Sequence, residues 1–267
     1  MTTPDTPYRF EFELTVSATP EQVWDAIASA DGISAWMLPT ELDPREGGAV
    51  KFHMGPDGAS EGTVTAFEPT RRLEYEEDWA TLVGHPGADV TPLVTEFLVE
   101  ARSGGTCVVR VVSSAYGTGA DWENEFWGEM ETGWAPMLDN LRIYLTHFAG
   151  QHATATMSTA TFAVTPVDAI ERVRAALGVG AAGDHIDAAG VEGVVERTIA
   201  HHFLVRIERP VLGLVSCFAF GTDASAVVSL SAYLYGPDGA AAADRLRPEW
   251  QTLLEELARD QADVPTS

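Results

Sequence analysis

The sequence predicts an α+β fold in which a curved antiparallel sheet wraps on a long C-terminal helix, in two tandem copies with the second shortened. Three observations support this prediction. Five strand-like segments follow one another between residues 49 and 116, and a long helical pattern comes next over Asp121–Phe148. Short motifs of the first half of the chain then recur after residue 154. The length of 267 residues is near the upper limit for one hydrophobic core and suits two domains.

The predicted fold begins with a strand and a helix. Tyr8–Val16 alternates apolar with polar side chains, which is the pattern of a strand with one buried face. Thr19 is suited to cap the next helix, and Pro20 is tolerated in a first helical turn. The dipeptide Asp31-Gly32 ends that helix. Its apolar face carries Val23, Trp24 and Ile27.

A series of strands follows, and turn signals separate them. The sequence Gly-Pro-Asp-Gly at residues 55–58 is typical of a turn. Strands joined by short turns form an antiparallel meander. The predicted strands are Ala49–Met54, Gly62–Phe67, Arg72–Trp79, Val94–Ala101 and Thr106–Tyr116. The helix after them has an apolar stripe that consists of Trp127, Met130, Trp134, Met137, Leu138, Leu141 and Leu145.

The second half of the chain repeats this plan. Thr161–Pro166 parallels Thr15–Pro20, and the Glu192-Gly193 pair matches the Glu61-Gly62 pair. In the last helix, the positions of Trp134, Met137, Leu138 and Leu141 are taken by Trp250, Leu253, Leu254 and Leu257. We therefore predict domains over residues 8–148 and 154–260. The alternative is that the second segment is a simple cap of strands and one helix, without a common origin with the first domain.

The second copy lacks one part of the plan. The counterpart of Trp36–Gly48 and of the strand after it is missing, and the small residues of Gly178–Gly190 stand in its place. Because the missing part would border the space between sheet and helix, we expect the second copy to have a reduced or filled cavity.

The charge of the chain restricts its partners. The 16 basic and 40 acidic residues give a formal net charge of −24 at pH 7. Such a charge repels phosphate backbones and anionic membrane surfaces, so we expect no nucleic acid and no membrane partner. The sequence shows neither a bilayer-spanning apolar run nor a secretory signal pattern, which predicts a cytoplasmic protein. Cys107 and Cys217 lie in apolar segments and are predicted to be buried structural thiols.

Aromatic and thioether side chains are concentrated near the end of the first sheet and on its helix. Such side chains offer a large contact area with little loss of rotamer entropy, which suits an apolar or aromatic ligand. Ordinary core packing is the alternative, and Trp134 and Met137 are assigned to the core. The predicted ligand-binding residues are His53, Tyr75, Trp79, Tyr116, Trp122, Phe126, Trp127 and Met130.

Few polar side chains of the sequence suggest chemistry. His53 lies on the second strand, and a histidine in a pocket can act as a general base near neutral pH. The adjacent His201 and His202 would point to opposite faces of a strand, so the sequence predicts no metal site. No phosphate-binding loop or nucleophile elbow occurs in the sequence, so we expect no cofactor and assign no catalytic residue. Polar contacts inside a cavity could come from Glu96, Arg110, Glu125 and Glu129.

Several motifs of the first domain form a set, namely Pro20–Trp24, Ile33–Trp36, Gly47-Gly48, Gly62–Tyr75, and Gly133-Trp134 with Leu138 and Leu141. With these motifs, residues 8–148 resemble the SRPBCC, or START-like, superfamily of helix-grip domains. Within it they are similar to the C-terminal domain of the heat-shock protein 90 ATPase activator. The resemblance implies a β-α-α-β(5)-α domain with a hydrophobic pocket. The similar domains share no catalytic or metal-binding motif, so the resemblance assigns no catalytic role to any residue of this chain.

The resemblance leaves three functions open, because members of the superfamily include ligand carriers, cyclases and co-chaperone domains. The favoured function is a non-catalytic protein that holds a small hydrophobic molecule in the first cavity, with the second copy as a structural or dimerising partner. The first alternative is a module that binds a protein partner. The second alternative is an enzyme of the cyclase or dehydratase kind, in which His53 or a buried glutamate acts as acid or base on a polyketide-like substrate.

Overall fold

The computed structural model of the protein describes residues 4–54 and 58–259. Residues 55–57 of the predicted turn and residue 260 of the predicted second domain lie outside this part of the chain. The chain divides into two compact units, residues 1–151 and 152–267. The domain bounds 8–148 and 154–260 remain predictions. None of the described helices combines the length and the apolar character that a membrane-spanning helix needs.

The first unit is an α+β structure with one antiparallel sheet and a long C-terminal helix. In chain order its elements are β1 (Thr6–Val16), α1 (Pro20–Ala28), α2 (Ala30–Ser34), β2 (Thr40–Leu42), β3 (Ala49–His53), β4 (Ala59–Glu68), β5 (Arg72–Glu77), α3 (Trp79–Leu82), β6 (Leu93–Arg102), β7 (Thr106–Gly117) and α4 (Asp121–His147). The strands form one sheet in the order β1-β7-β6-β5-β4-β3-β2. The predicted meander is therefore closed by β1, which pairs with β7.

The first helix begins where the sequence predicts. The Thr19 side chain accepts a hydrogen bond from the Gln22 backbone amide, and the Gln22 side chain accepts one from the Thr19 amide. This reciprocal pair satisfies two backbone donors at the helix N-terminus. Pro20 follows the cap as the first helical residue. The predicted end at Asp31-Gly32 is wrong, because α1 stops at Ala28 and these two residues lie within α2.

The predicted strand over Arg72–Trp79 is wrong at its end. The strand stops at Glu77, and Trp79 opens the short helix α3. The cause is Asp78, whose carboxylate accepts hydrogen bonds from the backbone amide and the hydroxyl group of Thr81. An aspartate in this position is a favourable N-cap, so the chain turns into a helix.

The long helix α4 packs on one face of the sheet, which we call the inner face. Five residues of its predicted apolar stripe are buried, whereas Met130 and Met137 are half-buried. Trp134 lies edge-on to Phe97 of β6 with ring centroids 5.8 Å apart. The Asn140 side chain donates a hydrogen bond to the Trp36 carbonyl at 3.0 Å. These contacts fix the C-terminal half of α4 against the sheet and the segment after α2.

The second unit has the same plan with fewer elements. They are β8 (Ala153–Phe162), α5 (Pro166–Leu177), β9 (His185–Ala188), β10 (Val191–Ile199), β11 (His202–Arg209), β12 (Gly213–Thr222), β13 (Ser225–Tyr235) and α6 (Gly239–Arg259). Their sheet has the order β8-β13-β12-β11-β10-β9, which matches that of the first unit without its β2. The predicted fold class of two helix-grip copies, the second shortened, is confirmed.

Local details of the two sheets also match. Gly62 and Gly193 each face a neighbouring backbone, where an added Cβ would lie 2.2 Å from the Glu76 carbonyl oxygen and 2.3 Å from that of Arg206, respectively. A bulge follows each glycine at the same distance, within Val64–Ala66 and within Val195–Arg197. The repetition of a glycine and a bulge supports a tandem copy better than a cap of separate origin.

One part of the predicted gap is wrong. The strand after the gap is present as β9, which pairs with β10 as β3 pairs with β4. The described elements that lack a counterpart are α2, β2 and α3. In the second unit, buried side chains of α5, α6 and the inner face of the sheet form one hydrophobic cluster that includes Ile170, Val205, Leu230 and Trp250.

Candidate functional site

The candidate site lies on the inner face of the first sheet, beside the N-terminal half of α4. Strand register aligns the side chains there into rows, because alternate residues of each strand point to the same face. One row crosses the sheet through Phe10, Ser113, Thr95, Tyr75 and Val64. The neighbouring row contains Tyr8 opposite Ala115, and Glu77 between Leu93 and Gly62.

Six aromatic side chains gather at one side of these rows, and we call them the aromatic cluster: Tyr8, Phe10, Trp79, Trp122, Phe126 and Trp127. The rings of Trp127 and Tyr8 are stacked, with centroids 5.4 Å apart and planes inclined by 7°. Trp79 is central to the rest, since its ring lies 4.9 Å from Phe126 and 5.0 Å from Trp122. The cluster therefore joins α3, α4 and β1 through ring contacts.

Trp79 is held in place by its own hydrogen bond. Its indole nitrogen donates to the Thr91 carbonyl at 2.8 Å, and the side chain is fully buried. The Trp79 ring also meets the edge of Trp127, with centroids 6.0 Å apart. A buried indole that is both packed and hydrogen-bonded keeps a defined orientation.

Trp127 differs from Trp79 in one respect. It is 6% exposed, and its indole nitrogen has no hydrogen-bond acceptor among the described residues. A buried donor that lacks an acceptor costs about 1–3 kcal/mol. Such an unpaired donor therefore requires an explanation. One explanation is that a bound molecule supplies the acceptor atom.

The central row carries a chain of hydroxyl groups. Tyr75 lies directly opposite Thr95 in the sheet, and the Thr95 and Ser113 hydroxyl oxygens lie 3.3 Å apart. Burial, and next the nearby Glu77 carboxyl group, raise the pKa of Tyr75 well above its ordinary value. Tyr75 therefore stays neutral in the physiological pH range.

Glu77 is the acidic member of the site. Its carboxyl group accepts a hydrogen bond from the Ser60 hydroxyl, and burial raises its pKa to about 7. Gly62 makes room for it, because a Cβ at that position would lie 3.0 Å from Cγ of Glu77. Among the described residues, no cation forms an ion pair with this carboxyl group. Such a group can donate a proton below neutral pH and accept one above it.

A second buried carboxylate fixes the start of α4. Glu123 accepts hydrogen bonds from the amide and hydroxyl of Thr118, from the Gly119 amide and from the Tyr8 hydroxyl, at 2.8–3.1 Å. Burial alone would raise the pKa of Glu123, but these hydrogen bonds outweigh it and lower the pKa. Because Tyr8 is one of the donors, Glu123 also positions the ring that stacks on Trp127.

The predicted ligand-binding residues divide into two groups. The structure brings together Trp79, Trp122, Phe126 and Trp127 in the aromatic cluster, and Tyr75 lies in the row beside them. Met130 lies on α4, like Trp122, Phe126 and Trp127, and is half-buried.

Two predicted residues lie elsewhere. His53 is on the face opposite Phe52, with its Nε2 atom 2.8 Å from the exposed carboxylate of Glu41. Tyr116 is 51% exposed, and its neighbour Ala115 occupies the inner face. Neither residue belongs to the candidate site.

The polar residues expected in a cavity are also elsewhere. Glu96 alternates with the buried Thr95 and Phe97 and therefore lies on the outer face, where it pairs with Arg72 at 2.6 Å. Arg110 is on the same outer face and pairs with Glu11 at 3.2 Å. The other two polar residues predicted for a cavity lie on α4 and are solvent-exposed, namely Glu125 and Glu129.

Sequence reasoning missed the polar half of the site. The alternation of β5 places Glu77 on the face of Leu73 and Tyr75, but no sequence pattern distinguishes it from the other acidic residues of the chain. Tyr8 and Phe10 are on the strand predicted first, yet only its pairing with β7 brings them to the site. The remaining residues that were missed are Ser60, Thr95 and Ser113.

Comparison with protein families supports the resemblance. The family model described as "Activator of Hsp90 ATPase homolog 1-like protein" matches residues 17–146, all of them in the first unit. The match confirms the resemblance of residues 8–148 to this SRPBCC-type family. Comparison with curated protein sequences gives no match.

Comparison with solved structures gives matches that cover about half of this chain and matches that cover nearly all of it. The di-domain ARO/CYC BexL from the BE-7585A biosynthetic pathway is 14% identical, with 97% of this chain and 99% of that chain covered and a TM-score of 0.44. DynU16 from the dynemicin biosynthetic locus is 15% identical, with 97% and 100% covered and a TM-score of 0.43. The Aha1 dimer from Colwellia psychrerythraea is 19% identical, with 53% and 98% covered and a TM-score of 0.43.

Proposed function

We propose that the first unit binds a small aromatic or hydrophobic molecule between the inner face of its sheet and the N-terminal half of α4. The observation that carries this proposal is the unpaired indole donor of Trp127 within the aromatic cluster. A core that served packing alone would gain nothing from a buried donor without an acceptor. Aromatic walls with a few polar groups are the usual composition of a ligand site.

The first test asks whether the protein carries a ligand. Native mass spectrometry of the purified protein, followed by a denaturing run, would detect a small molecule that is released on unfolding and would count subunits. Equilibrium dialysis against 2-ethylnaphthalene then measures binding of a neutral aromatic probe. We expect one probe molecule to bind per chain.

Two variants locate the probe. Trp127→Ala removes a ring of the aromatic cluster, and we expect it to weaken 2-ethylnaphthalene binding by about tenfold or more, because a large apolar contact is lost. Trp24→Ala is the matched control, since Trp24 packs against Phe67 with ring centroids 5.1 Å apart and lies outside the cluster. Unchanged binding in a folded Trp127→Ala variant would contradict the proposal and assign Trp127 to the core.

A second candidate function rests on Glu77. An enzyme of the cyclase or dehydratase kind needs an acid or base whose pKa is close to the working pH, and burial raises the pKa of Glu77 to about 7. In this function the side chain would donate or remove a proton from a bound carbonyl compound. Turnover of a released ligand by the wild-type protein, and its loss in Glu77→Gln, would support catalysis over binding alone.

A further inference from the structure

We propose that Glu77 donates a hydrogen bond to an oxygen atom of the ligand, so that the first unit selects aromatic molecules that carry a carbonyl group. This inference rests on the proposed ligand-binding function and specifies the class of ligand. It concerns a residue that the sequence patterns did not single out and that the aromatic cluster does not include.

The geometry leaves one oxygen of Glu77 available. The Ser60 hydroxyl contacts Oε1, whereas Oε2 has no hydrogen-bond partner among the described residues. Ser60 and Gly62 lie on β4 next to Glu77, and the absence of a side chain at Gly62 makes room for the Glu77 side chain, whose Cγ would lie 3.0 Å from an added Cβ. Oε2 is therefore the atom that can carry a proton to a ligand.

The surroundings favour the neutral, donating form of the acid. On β5 the titratable neighbour on the same face is Tyr75, which is buried and neutral. The adjacent residues of β4 and β6 on this face are uncharged, namely Ser60, Gly62, Leu93 and Thr95. The buried carboxylate of α4, Glu123, has its own donors in Thr118, Gly119 and Tyr8.

Charged side chains on the same strands point away from the site. Glu76 of β5 alternates to the outer face, and Lys51 of β3 pairs with Glu61 at 2.6 Å on that face. No cation in the described part of the chain forms an ion pair with the carboxylate, and burial raises the pKa of Glu77 to about 7. The neutral form is thus substantially populated at pH 7 and predominates below it.

Two donors then set the preference for a ligand. The Trp127 indole and the neutral Glu77 carboxyl group can each donate to an oxygen acceptor on an aromatic molecule. A ligand without an acceptor leaves both donors unpaired, so it should bind more weakly than a ligand of the same shape that carries one. At higher pH the ionised Glu77 no longer donates, and a ligand that covers it removes a charge from water.

The test compares two probes of the same size. 2-Acetylnaphthalene carries a carbonyl acceptor, and 2-ethylnaphthalene has the same ring without one. We expect wild-type protein to prefer the acetyl probe by about tenfold more at about pH 5.5 than at about pH 8.5, measured by equilibrium dialysis. Glu77→Gln retains a donor, so its preference should be the same at both pH values.

Two further variants make the result specific. Glu77→Leu keeps only the Trp127 donor, so at about pH 5.5 its preference for the acetyl probe should be smaller than that of wild type. The preference should be the same at both pH values, and the affinity for the ethyl probe should be unchanged. Glu76→Gln is the matched control, because it makes the same change one residue earlier on the opposite face, and it should behave as wild type. Circular dichroism and thermal unfolding establish that each variant is folded before its binding is compared.

Each outcome is decisive. If both probes bind and the preference of Glu77→Leu equals that of wild type, the role of Glu77 is refuted while ligand binding stands. If neither probe binds to wild type, the proposed function fails and the inference fails with it. An independent readout is the carboxyl carbon resonance of Glu77, which should titrate near neutral pH and shift its midpoint upward when 2-acetylnaphthalene is added.

Discussion

The Glu77 carboxyl group should make the stability of the first unit depend on pH, and Glu77→Gln should remove that dependence. Burial raises the pKa of this group from 4.5 to about 7. Between these values the folded protein binds a proton that the unfolded chain has released, so stability falls as pH rises. The contribution of the neutral acid is fully present below the unfolded pKa, and it is lost as pH rises through the folded pKa.

The size of this effect follows from the difference in pKa. At about 1.4 kcal/mol per pKa unit, the difference corresponds to about 3 kcal/mol. Glu77 is only half-buried as a residue, and water near its free oxygen reduces the effect. We therefore expect wild type to lose about 2 kcal/mol of unfolding free energy, relative to Glu77→Gln, between about pH 4.5 and about pH 8.

Urea unfolding followed by tryptophan fluorescence is the appropriate assay. Of the 7 tryptophans in the chain, Trp250 alone belongs to the second unit, so the signal reports mainly on the first. Glu76→Gln serves as the control, since it removes a carboxyl group on the outer face. If the unfolding free energies of wild type and Glu77→Gln stay parallel across this pH range, Glu77 is not held as a buried neutral acid and the reasoning is refuted.

Three other predictions concern the interior of each unit taken separately. Glu123→Gln should reduce the unfolding free energy by about 2 kcal/mol at neutral pH, because it removes a charged acceptor. Since the folded pKa of Glu123 is lowered, this difference should shrink as pH falls through that pKa; a constant difference in urea unfolding would count against it. Gly193→Ala should lower the thermal unfolding temperature of the second unit, since its Cβ would lie 2.3 Å from the Arg206 carbonyl oxygen, whereas an unchanged temperature would show that the strands can separate. Burial raises the pKa of the Cys217 thiol, so a disulfide reagent should modify it only on unfolding, and fast modification of the native protein would disagree with its burial.

Sequence patterns predicted the scaffold better than the site because the scaffold depends on local signals. Alternation in β1, the cap at Thr19 and the apolar stripe of α4 each involve residues close in sequence, and each prediction is confirmed. Trp79 is the exception: the pattern predicts a strand there, but Asp78 caps a helix that begins at Trp79. A single capping side chain is a weak signal in a sequence, but it determines where the chain turns.

The site depends on which strand faces meet, and that is a long-range property. The alternation in β3 groups His53 with Lys51 and Phe52 with Val50, so this segment already favours the face of Phe52 as the buried one. The pairing of β1 with β7 brings Tyr8 to Trp127 across more than 100 residues. Aromatic members of the cluster on α4 were predictable because one helix already holds them together.

A comparison of the two units supports a specialised first copy. Strand register assigns an equivalent in the second unit to each polar residue of the rows around Glu77. The equivalents of Ser60, Tyr75, Glu77, Thr95 and Ser113 are Val191, Val205, Ile207, Val215 and Ala232, in that order. All five are apolar members of the hydrophobic cluster of the second unit.

These substitutions have a clear energetic direction. Burying a hydroxyl or carboxyl group costs free energy unless it is fully hydrogen-bonded, and an apolar side chain in the same place avoids that cost. A copy that needs only a packed core therefore gains stability by becoming apolar at these positions, as the second unit is. The first unit has polar residues at these positions, and one of them is Glu77, whose pKa burial raises to about 7. A polar set at these positions is expected if it contacts a ligand, whereas packing alone favours apolar side chains there.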